Sequence, residues 1–438
     1  MRKLPIPAAL GAVFMAVWLG ACTAATTTSP GPSQPAGSDP PPSGEESPGE
    51  PSGEPIVVGS TLSLSGIFAA TGAIHQIAGE QFVERLNDNG GLLGRPVEWM
   101  VLDDESDQAQ VGTLYERLIS QEQVDLIIGP YATPNILAAM AVAQRHGYVL
   151  PQHTAVLAPF MNYECQFPGW SIGPTPNEYV PNMLFDALES LPEPPETIAI
   201  VTNQNGSTDF ISRGLADDET DAGALTIAPE RGLDLVLELP YPPGTSEWGP
   251  IAAEIRDADP DVVMNQGLGV DPVGMIEAMQ QLDYEPPIMF SLFPAPGPPL
   301  GLGDAAQGML SVSIFEGTEA ALEEAGDEVR EIVETFEANS EEAGLPYTTF
   351  ETQAAASWHA WEILAQGVEG AGDVDNEAIC SYLQENGADL TFSGQVQFDP
   401  EVNNFWDSNQ GLKQIQGDEW VMVWPEDVAT AELQGPGS

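Results

Sequence analysis

The feature that most restricts the fold of this sequence is a repeated alternation of short apolar strands with amphipathic helices, which begins at Ile56. The first apolar run ends at Gly59, and apolar residues at helical spacing follow it. Val97, Trp99 and Val101 then alternate as a second strand. Because consecutive parallel strands need helical connections, this alternation predicts an α/β fold with doubly wound parallel sheets.

The same alternation starts again at Thr197 and continues through a strand at Ile288. The chain then has two long helical patterns, and its last apolar strand ends near Trp424 as part of an antiparallel hairpin. The segment between Pro55 and Trp424 is too long for one ordinary core. We therefore expect two α/β lobes.

The N-terminus has the pattern of an export signal, with Arg2 and Lys3 before an apolar run that ends at Leu19. That run is too short to cross a bilayer as a helix, so residues 1–21 are predicted to be a signal peptide. Leu19-Gly20-Ala21-Cys22 resembles the lipobox of bacterial lipoproteins, in which the cysteine carries the lipid. This resemblance implies a lipid anchor on Cys22 at the outer face of the cell membrane; the alternative is a soluble secreted protein.

Residues 22–54 contain almost no large apolar side chains and are rich in Pro, Gly, Ser and Glu. Such a segment cannot bury enough surface to offset its ordering entropy, so we predict a disordered tether. Its length corresponds to an average reach of roughly 30 Å.

The charge is strongly unbalanced, with 11 Lys and Arg against 67 Asp and Glu. Removal of Arg2 and Lys3 with the signal would leave nine basic residues and a net charge of −58. Phosphate would repel such a chain, so nucleic acid is excluded as a natural partner. The acidic residues are scattered, which favours adaptation to salt over a single acidic tail; a general acidic bias of the source organism is the alternative.

Once Cys22 is assigned to a lipid, Cys165 and Cys380 form an even pair in an oxidising compartment. Either a disulfide or two buried free thiols fits this count.

Several phrases of the sequence, in their order and spacing, resemble the branched-chain amino-acid binding proteins of bacterial transporters, which are type I periplasmic binding proteins. The phrases are Ile56-Val57-Val58-Gly59, Asn87-Asp88-Asn89-Gly90-Gly91-Leu92-Leu93-Gly94-Arg95, Ile128-Gly129-Pro130-Tyr131 and Ser393-Gly394-Gln395-Val396-Gln397-Phe398-Asp399. The resemblance implies two lobes joined by three crossovers, a ligand cleft between the lobes and hinge closure. It also implies delivery of the ligand to the membrane permease of an ABC importer.

The resemblance places the three crossovers near Gly173, Pro298 and Gly370. Lobe 1 would then comprise residues 55–172 and 299–370. Lobe 2 would comprise residues 173–298 and 371–430, and a tail would follow at 431–438.

The best candidate for a ligand anchor is Thr133, since Thr133-Pro134 has the pattern of a helix start and helix N-termini bind anions. The carboxylate-binding hydroxyl of the family falls on Thr133, with Tyr131 and Ala132 beside it. The next contact loop of the family falls on His153-Thr154-Ala155-Val156, where Thr154 substitutes for a hydroxyl that Val156 lacks. An ordinary helix cap is the alternative interpretation of Thr133.

Further candidates come from the other loops of the family's cleft. In the first lobe, Phe68 and Thr71 lie where the family often has aromatic cleft residues. In the second lobe, Asn205 takes the place of a frequent Tyr. No carboxylate stands at Ser291-Leu292-Phe293, where amino-acid binders direct an acid at the ligand ammonium, and Asp271 and Glu178 are the candidate replacements. Asp271 also fits a helix cap.

We find no sequence pattern of an enzyme, a metal site or a cofactor site. The hydrolase pattern Gly-x-Ser-x-Gly is absent, and the four histidines lack zinc-ligand spacing. Two functions from different classes remain: a substrate-binding protein of an importer, and a ligand-sensing or regulatory lipoprotein on the same fold.

Overall fold

The computed structural model describes residues 50–215, 222–407 and 410–436. The predicted signal peptide, the lipidation site Cys22 and most of the predicted tether lie outside these residues. Among the described residues, no helix is both long enough and apolar enough to cross a membrane. The described residues form one compact unit.

The first part of the chain forms parallel strands flanked by helices. The elements are β1 (Ile56–Leu62), α1 (Ala69–Asp88), β2 (Val97–Asp103), α2 (Gln108–Arg117), β3 (Leu126–Ile127), α3 (Thr133–His146), β4 (Leu150–Gln152) and β5 (Gln166–Pro168). Strands β2, β1 and β3 pair in that order, and β4 pairs in parallel with β5. A backbone hydrogen bond of 2.8 Å from Gly129 N to Pro151 O links the end of β3 to β4. We call this layer the first sheet.

The second part of the chain forms a larger sheet. Its elements are α4 (Pro176–Glu189), β6 (Thr197–Asn203), α5 (Gly206–Arg213), α6 (Ala224–Glu230), β7 (Asp234–Tyr241), α7 (Gly249–Ala258), β8 (Val262–Gly269), α8 (Asp271–Gln280), β9 (Ile288–Pro294), α9 (Gly297–Leu300) and β10 (Leu310–Ser313). Strands β10, β9, β8, β6 and β7 are parallel neighbours. We call this layer the second sheet.

The chain then returns to the first sheet and ends on the second. The returning elements are α10 (Glu319–Ala325), α11 (Asp327–Ala343), α12 (Thr352–Ala371), α13 (Asn376–Asn386), β11 (Ala388–Leu390) and β12 (Gly394–Val396), and the last strands are β13 (Gly411–Gln416) and β14 (Glu419–Trp424). Strands β13 and β14 extend the second sheet in antiparallel fashion beside β10. The predicted α/β fold with two parallel-dominated sheets is confirmed.

Three crossovers join the two sheets, and two of them differ from their expected places. The first lies between β5 and α4 and contains Gly173. The second follows β10 rather than lying near Pro298, because Leu310 still pairs with Phe290 in β9. The third precedes β13 rather than lying near Gly370. Residues 299–313 therefore extend the second sheet, and most of 371–402 lies beside the first.

The Cys165–Cys380 disulfide lies in the part of the chain that precedes the third crossover. The two Cα atoms are 5.3 Å apart, and the bond attaches α13 to the residue before β5. Buried residues of α13, among them Leu383, belong to the same apolar core as α12. The chain between α12 and β12 is thereby held against the first sheet.

Candidate ligand-binding site

The carboxyl ends of both parallel sheets, where α/β proteins bind ligands, carry polar and aromatic side chains. In the first sheet, the loop after β1 is fixed by Asp103, which accepts hydrogen bonds from Leu64 N at 3.0 Å and from Ser65 Oγ at 2.8 Å. Ser106 Oγ accepts a further hydrogen bond, at 3.1 Å, from Phe68 N. These bonds position Phe68 at the start of α1.

Thr133 begins α3, but its hydroxyl is used within the protein. The residue is 3% exposed, and its Oγ1 accepts a 3.0 Å hydrogen bond from Val156 N. The cap position is Ala132, at a φ of 73°, and no side chain caps the helix. The helix start expected from Thr133-Pro134 is present, with Thr133 inside the helix rather than capping it.

The neighbouring loop after β4 is likewise satisfied internally. Ala155 N donates a 3.0 Å hydrogen bond to Gln152 Oε1, so two successive backbone donors of this loop are occupied. Thr154 differs, because it is buried and its hydroxyl has no partner among the described residues. In this loop, Thr154 and His153 are therefore left with unused hydrogen-bonding capacity.

Four aromatic rings lie in contact at this edge. Phe68 meets Tyr131 edge to face with ring centroids 5.5 Å apart, and Tyr131 lies 5.2 Å from His75. His75 stacks on His153 at 4.3 Å with an interplanar angle of 14°. Sequence reasoning missed His75. Its spacing of seven residues from Phe68, two turns along one helix, was the available signal.

Both histidines of this stack are fully buried and neutral. Burial lowers the pKa of His153 to about 3, and burial together with the neighbouring His153 lowers the pKa of His75 well below its usual value. The side chain of Gln353 lies near His75 and opposes that shift. Neither histidine has a ring nitrogen in hydrogen-bond geometry with a described residue.

His359 shows what a structural buried histidine looks like in this protein. Its Nδ1 lies 2.8 Å from Gly169 O, and its Nε2 accepts a hydrogen bond from Phe392 N at 3.2 Å. Because an unpaired buried polar group costs about 1–3 kcal/mol, the nitrogens of His75 and His153 differ from those of His359 in keeping an unused and costly hydrogen-bonding capacity.

Tyr131 connects this stack to a carboxylate. Burial raises the pKa of Tyr131 to about 12, the charge of Glu351 adds to the rise, and the Thr71 hydroxyl opposes it. The predicted residues Phe68, Thr71 and Tyr131 are thus brought together, with Glu351 nearby.

In the second sheet, Asp271 is the centre of a polar network. Its Oδ2 accepts hydrogen bonds from Asn203 Nδ2 at 2.7 Å, Tyr241 OH at 2.8 Å and Leu268 N at 3.2 Å. The predicted Asn205 caps α5 instead, because its Oδ1 accepts from Ser207 N at 3.1 Å. Asn203, at the end of β6, was not predicted.

Unpartnered polar atoms are concentrated at the same edge of the second sheet. Buried side-chain atoms with no hydrogen-bond partner among the described residues include Asn203 Oδ1, Asn265 Nδ2, both amide atoms of Gln266, and Ser291 Oγ. Ser291 belongs to the phrase where the sequence lacks an acid. These strand-end side chains offer neutral donors and acceptors.

The two edges face each other. The side chain of Leu157, after β4, reaches Gly206 at the start of α5, where a methyl group in place of the glycine hydrogen would lie 3.9 Å from Leu157 Cδ1. On the first crossover, the ring of Trp170 lies 5.8 Å from that of Phe293 at the end of β9. The loop after β4 thus approaches the start of α5, and the first crossover approaches the end of β9, at an interface between the lobes.

A buried charged cluster lies where the second and third crossovers meet the sheets. Lys413 Nζ is 2.7 Å from Glu316 Oε1, and both side chains are at most 4% exposed. Ser313 Oγ donates to the same Glu316 oxygen at 2.7 Å. Burial raises the pKa of Glu316, against the opposing charge of Lys413.

Glu351 belongs to the same cluster, since it bridges Glu316 through the backbone and caps α12 with a 2.9 Å bond from Gln353 N. Burial raises the pKa of Glu351 to about 7, and Lys413 only partly opposes the shift. Two carboxylates here share one ammonium group.

The other basic side chains after residue 50 are engaged elsewhere. Seven arginines form ion pairs with carboxylates, at positions 85, 117, 145, 213, 231, 256 and 330. Arg95 donates to the carbonyl oxygens of Glu54 and Pro55. No described basic side chain is left for a ligand at the interface. Within the described residues there is also no cluster of three or more potential metal-ligating His, Cys, Asp or Glu side chains.

Comparison with known proteins decides the family. A family model for periplasmic binding proteins matches residues 55–408, most of the chain. The chain belongs to this periplasmic binding protein family. The family recognised from the sequence phrases is thereby confirmed.

Two curated relatives align with about half of the chain. The chemotactic signal transduction system substrate-binding protein BasB of Halobacterium salinarum is 28% identical over 254 residues, which cover 56% of this chain and 59% of that protein. The Leu/Ile/Val-binding protein homolog 8 of Brucella abortus is 26% identical over 242 residues, which cover 53% of this chain and 56% of that protein. The alignments thus span little more than half of either relative.

Solved structures show the same fold. The substrate-binding protein LivJ of Streptococcus pneumoniae, in complex with isoleucine, has a TM-score of 0.64 at 16% identity and covers 84% of this chain and all of that one. A solute-binding protein of an ABC transporter from R. palustris, in complex with benzoate, has a TM-score of 0.66 at 18% identity. The match covers 87% of this chain and 98% of that one. At such identities the likeness concerns the fold alone.

Proposed function

We propose that this protein is the extracytoplasmic, lipid-anchored substrate-binding component of an ABC importer, and that it binds a small amino-acid-like, amide or carboxylate ligand between its lobes. The observation that carries the proposal is the set of buried polar atoms without partners at the facing edges of both sheets. A ligand that touches both edges would satisfy these atoms and select the closed arrangement of the lobes.

A thermal-shift screen of amino acids, amides, amines and carboxylates on the mature protein tests ligand binding. We expect a subset of these compounds to raise the melting temperature, because they bind the folded state only. For each hit, Gln266→Leu should abolish the shift, whereas the matched change Gln307→Leu on the outer surface should not. A screen in which no compound of any class shifts the melting temperature would contradict the proposal.

The lipid anchor needs its own test. Wild type and Cys22→Ala are expressed in a bacterial host with a lipoprotein pathway, and the cells are fractionated. We expect the wild type in the membrane fraction and the variant in the soluble fraction. Recovery of both in the soluble fraction would remove the anchor from the proposal.

Sensing is the second candidate function, because the Halobacterium relative is named as part of a chemotactic signal transduction system. Deletion of the gene discriminates the two functions once a ligand is known. Loss of uptake of the radiolabelled ligand supports transport. Unchanged uptake with loss of the response to the ligand supports sensing.

A further inference from the structure

The buried charged cluster and the interface between the lobes together indicate the charge of the ligand. Glu316, Glu351 and Lys413 are buried within one cluster, so its two carboxylates are compensated by a single ammonium group. A buried charge that lacks a partner is costly. Glu351 caps α12, and the first turns of this helix contact the histidine stack, where Ser357 Oγ donates a 3.3 Å hydrogen bond to His75 O.

Among the described residues, no positively charged side chain is left to hold an anion at this interface. Every described arginine is engaged with a carboxylate or a carbonyl oxygen, and Lys413 is paired with Glu316. Beside Thr133, the N–H groups of Ala155 and Val156 already donate within the protein, and Pro134 has no N–H to offer. The carboxylate site expected from the sequence has therefore lost two of its backbone donors.

The groups that remain suit an ammonium group that stands beside a neutral polar group. Neutral His75 and His153 each offer one unused nitrogen lone pair and one unused N–H, and Asn203 Oδ1 is an unused acceptor in the other lobe. The unpartnered neutral donors of the second sheet suit an amide carbonyl. The faces of Tyr131 and Phe68 can interact with a positive charge through their π electrons. The net negative charge of the whole chain adds a potential that attracts cations.

We propose that this site selects small organic cations, in which an ammonium group is present without a free carboxylate. This inference rests on the proposed binding function and narrows it: amines and amino-acid amides are preferred, zwitterionic amino acids bind less tightly, and carboxylates bind least. The ligand ammonium would supply the second positive charge that Glu351 lacks, and the lone pairs of the histidine stack would accept its hydrogen bonds.

The test is calorimetry with two series of matched carbon skeletons: isoamylamine, leucinamide, leucine and isocaproate, and phenethylamine, phenylalaninamide, phenylalanine and hydrocinnamate. It is run near pH 8, above the pKa of about 7 of Glu351, so that this carboxylate is ionised. We expect the amine or amide to bind at least about tenfold more tightly than the carboxylate of the same skeleton.

Glu351→Gln keeps the oxygen that caps α12 and removes the charge. We expect it to weaken amine binding about tenfold without weakening carboxylate binding. Glu334→Gln, which makes the same change on the exposed face of α11, serves as the control and should bind like the wild type.

A carboxylate that binds as tightly as its matched amine would overturn the cation inference and leave the proposed binding function standing. Equal loss of amine and carboxylate affinity in Glu351→Gln would also overturn it. Absence of binding by every compound of both series and of the wider screen would overturn the binding function and this inference together.

Discussion

Among single residues, Thr133 shows the largest difference between the role predicted from the sequence and the role seen in the structure. Its hydroxyl was expected to meet a ligand carboxylate, but it accepts the 3.0 Å hydrogen bond of Val156 N in a buried place. Thr133→Val keeps the volume and leaves that N–H without a partner, so we expect a loss of about 1–3 kcal/mol in the free energy of unfolding without ligand. Urea denaturation measures it. Thr133→Ser should retain most of the stability, and a valine variant as stable as the wild type would contradict this assignment.

The buried histidines give the protein a dependence on pH with a definite sign. Their pKa values are lower in the folded state than the unfolded value near 6.5, so below that pH the unfolded chain binds protons that the folded protein does not. Each histidine should therefore lower the free energy of unfolding by about 1.4 kcal/mol for each pH unit as the pH falls from about 6.5 towards 3.

Buried Glu351 and Glu362 act in the opposite direction, because burial raises the pKa of each to about 7. Their contribution to the free energy of unfolding is lost as the pH rises from about 4.5 to 7. Comparing wild type with a His75→Leu, His153→Leu double variant by urea denaturation between about pH 5 and 7 isolates the histidines. We expect the double variant to lose less stability than the wild type on acidification. Parallel curves would show that folding does not lower the pKa values of these histidines.

Among the secondary-structure elements, the strands with strong apolar patterns were predictable, and the elements set by tertiary contacts were not. The first of the two long helical patterns expected after the strand at Ile288 is divided into α10 and α11 at Gly326, whose φ of 90° favours glycine. Strand β10 was missed because its four residues give too short a pattern, and this moved the second crossover. The place of α13 depends on packing and on a disulfide between residues 215 apart, which local periodicity does not contain.

The residues of the candidate site also divide into those that the sequence predicts and those that tertiary contacts determine. The resemblance to the family predicted Tyr131 and Thr154, and both lie in loops at the carboxyl edge of the first sheet. His75 and Asn203 were missed because their role depends on a stacking partner and on a neighbouring strand. The internal use of Thr133 could not be deduced from sequence, because it requires the loop after β4 to approach α3 at hydrogen-bond distance.

The contact of the second crossover with β13 depends on the only lysine that remains beyond residue 3. Lys413→Met would leave Glu316 and Glu351 buried without a cation, and breaking a buried pair in this way costs about 3–5 kcal/mol. We expect a loss of this size in urea denaturation near pH 8, where Glu351 is ionised. Lys413→Met combined with Glu316→Gln should recover most of it. No recovery in the double variant would show that Lys413 acts through packing on Trp420, whose ring centroid lies 4.8 Å from its Nζ.

At the scale of the whole molecule, the balance between paired and unpaired charges determines the response to salt. Salt weakens the surface ion pairs of the arginines, but exposed pairs contribute only about 0–1 kcal/mol each. Most of the 67 acidic residues have no basic partner, since only 11 basic residues exist in the whole chain. Their mutual repulsion acts over longer distances than a single ion pair. The stability gained when salt screens this repulsion should therefore exceed the stability lost when salt weakens the ion pairs.

We therefore expect the melting temperature to rise between about 0.1 and 2 M KCl, over which the screening length falls from about 10 Å to below 3 Å. Chloride avoids the strong exclusion from protein surfaces that makes sulfate stabilising for other reasons. Tetramethylammonium chloride at the same ionic strength separates screening from specific binding of K⁺, because screening depends only on ionic strength. Equal increases in both salts would identify screening. A melting temperature that stays constant or falls in KCl would show that repulsion among the acidic residues does not limit the stability of this fold.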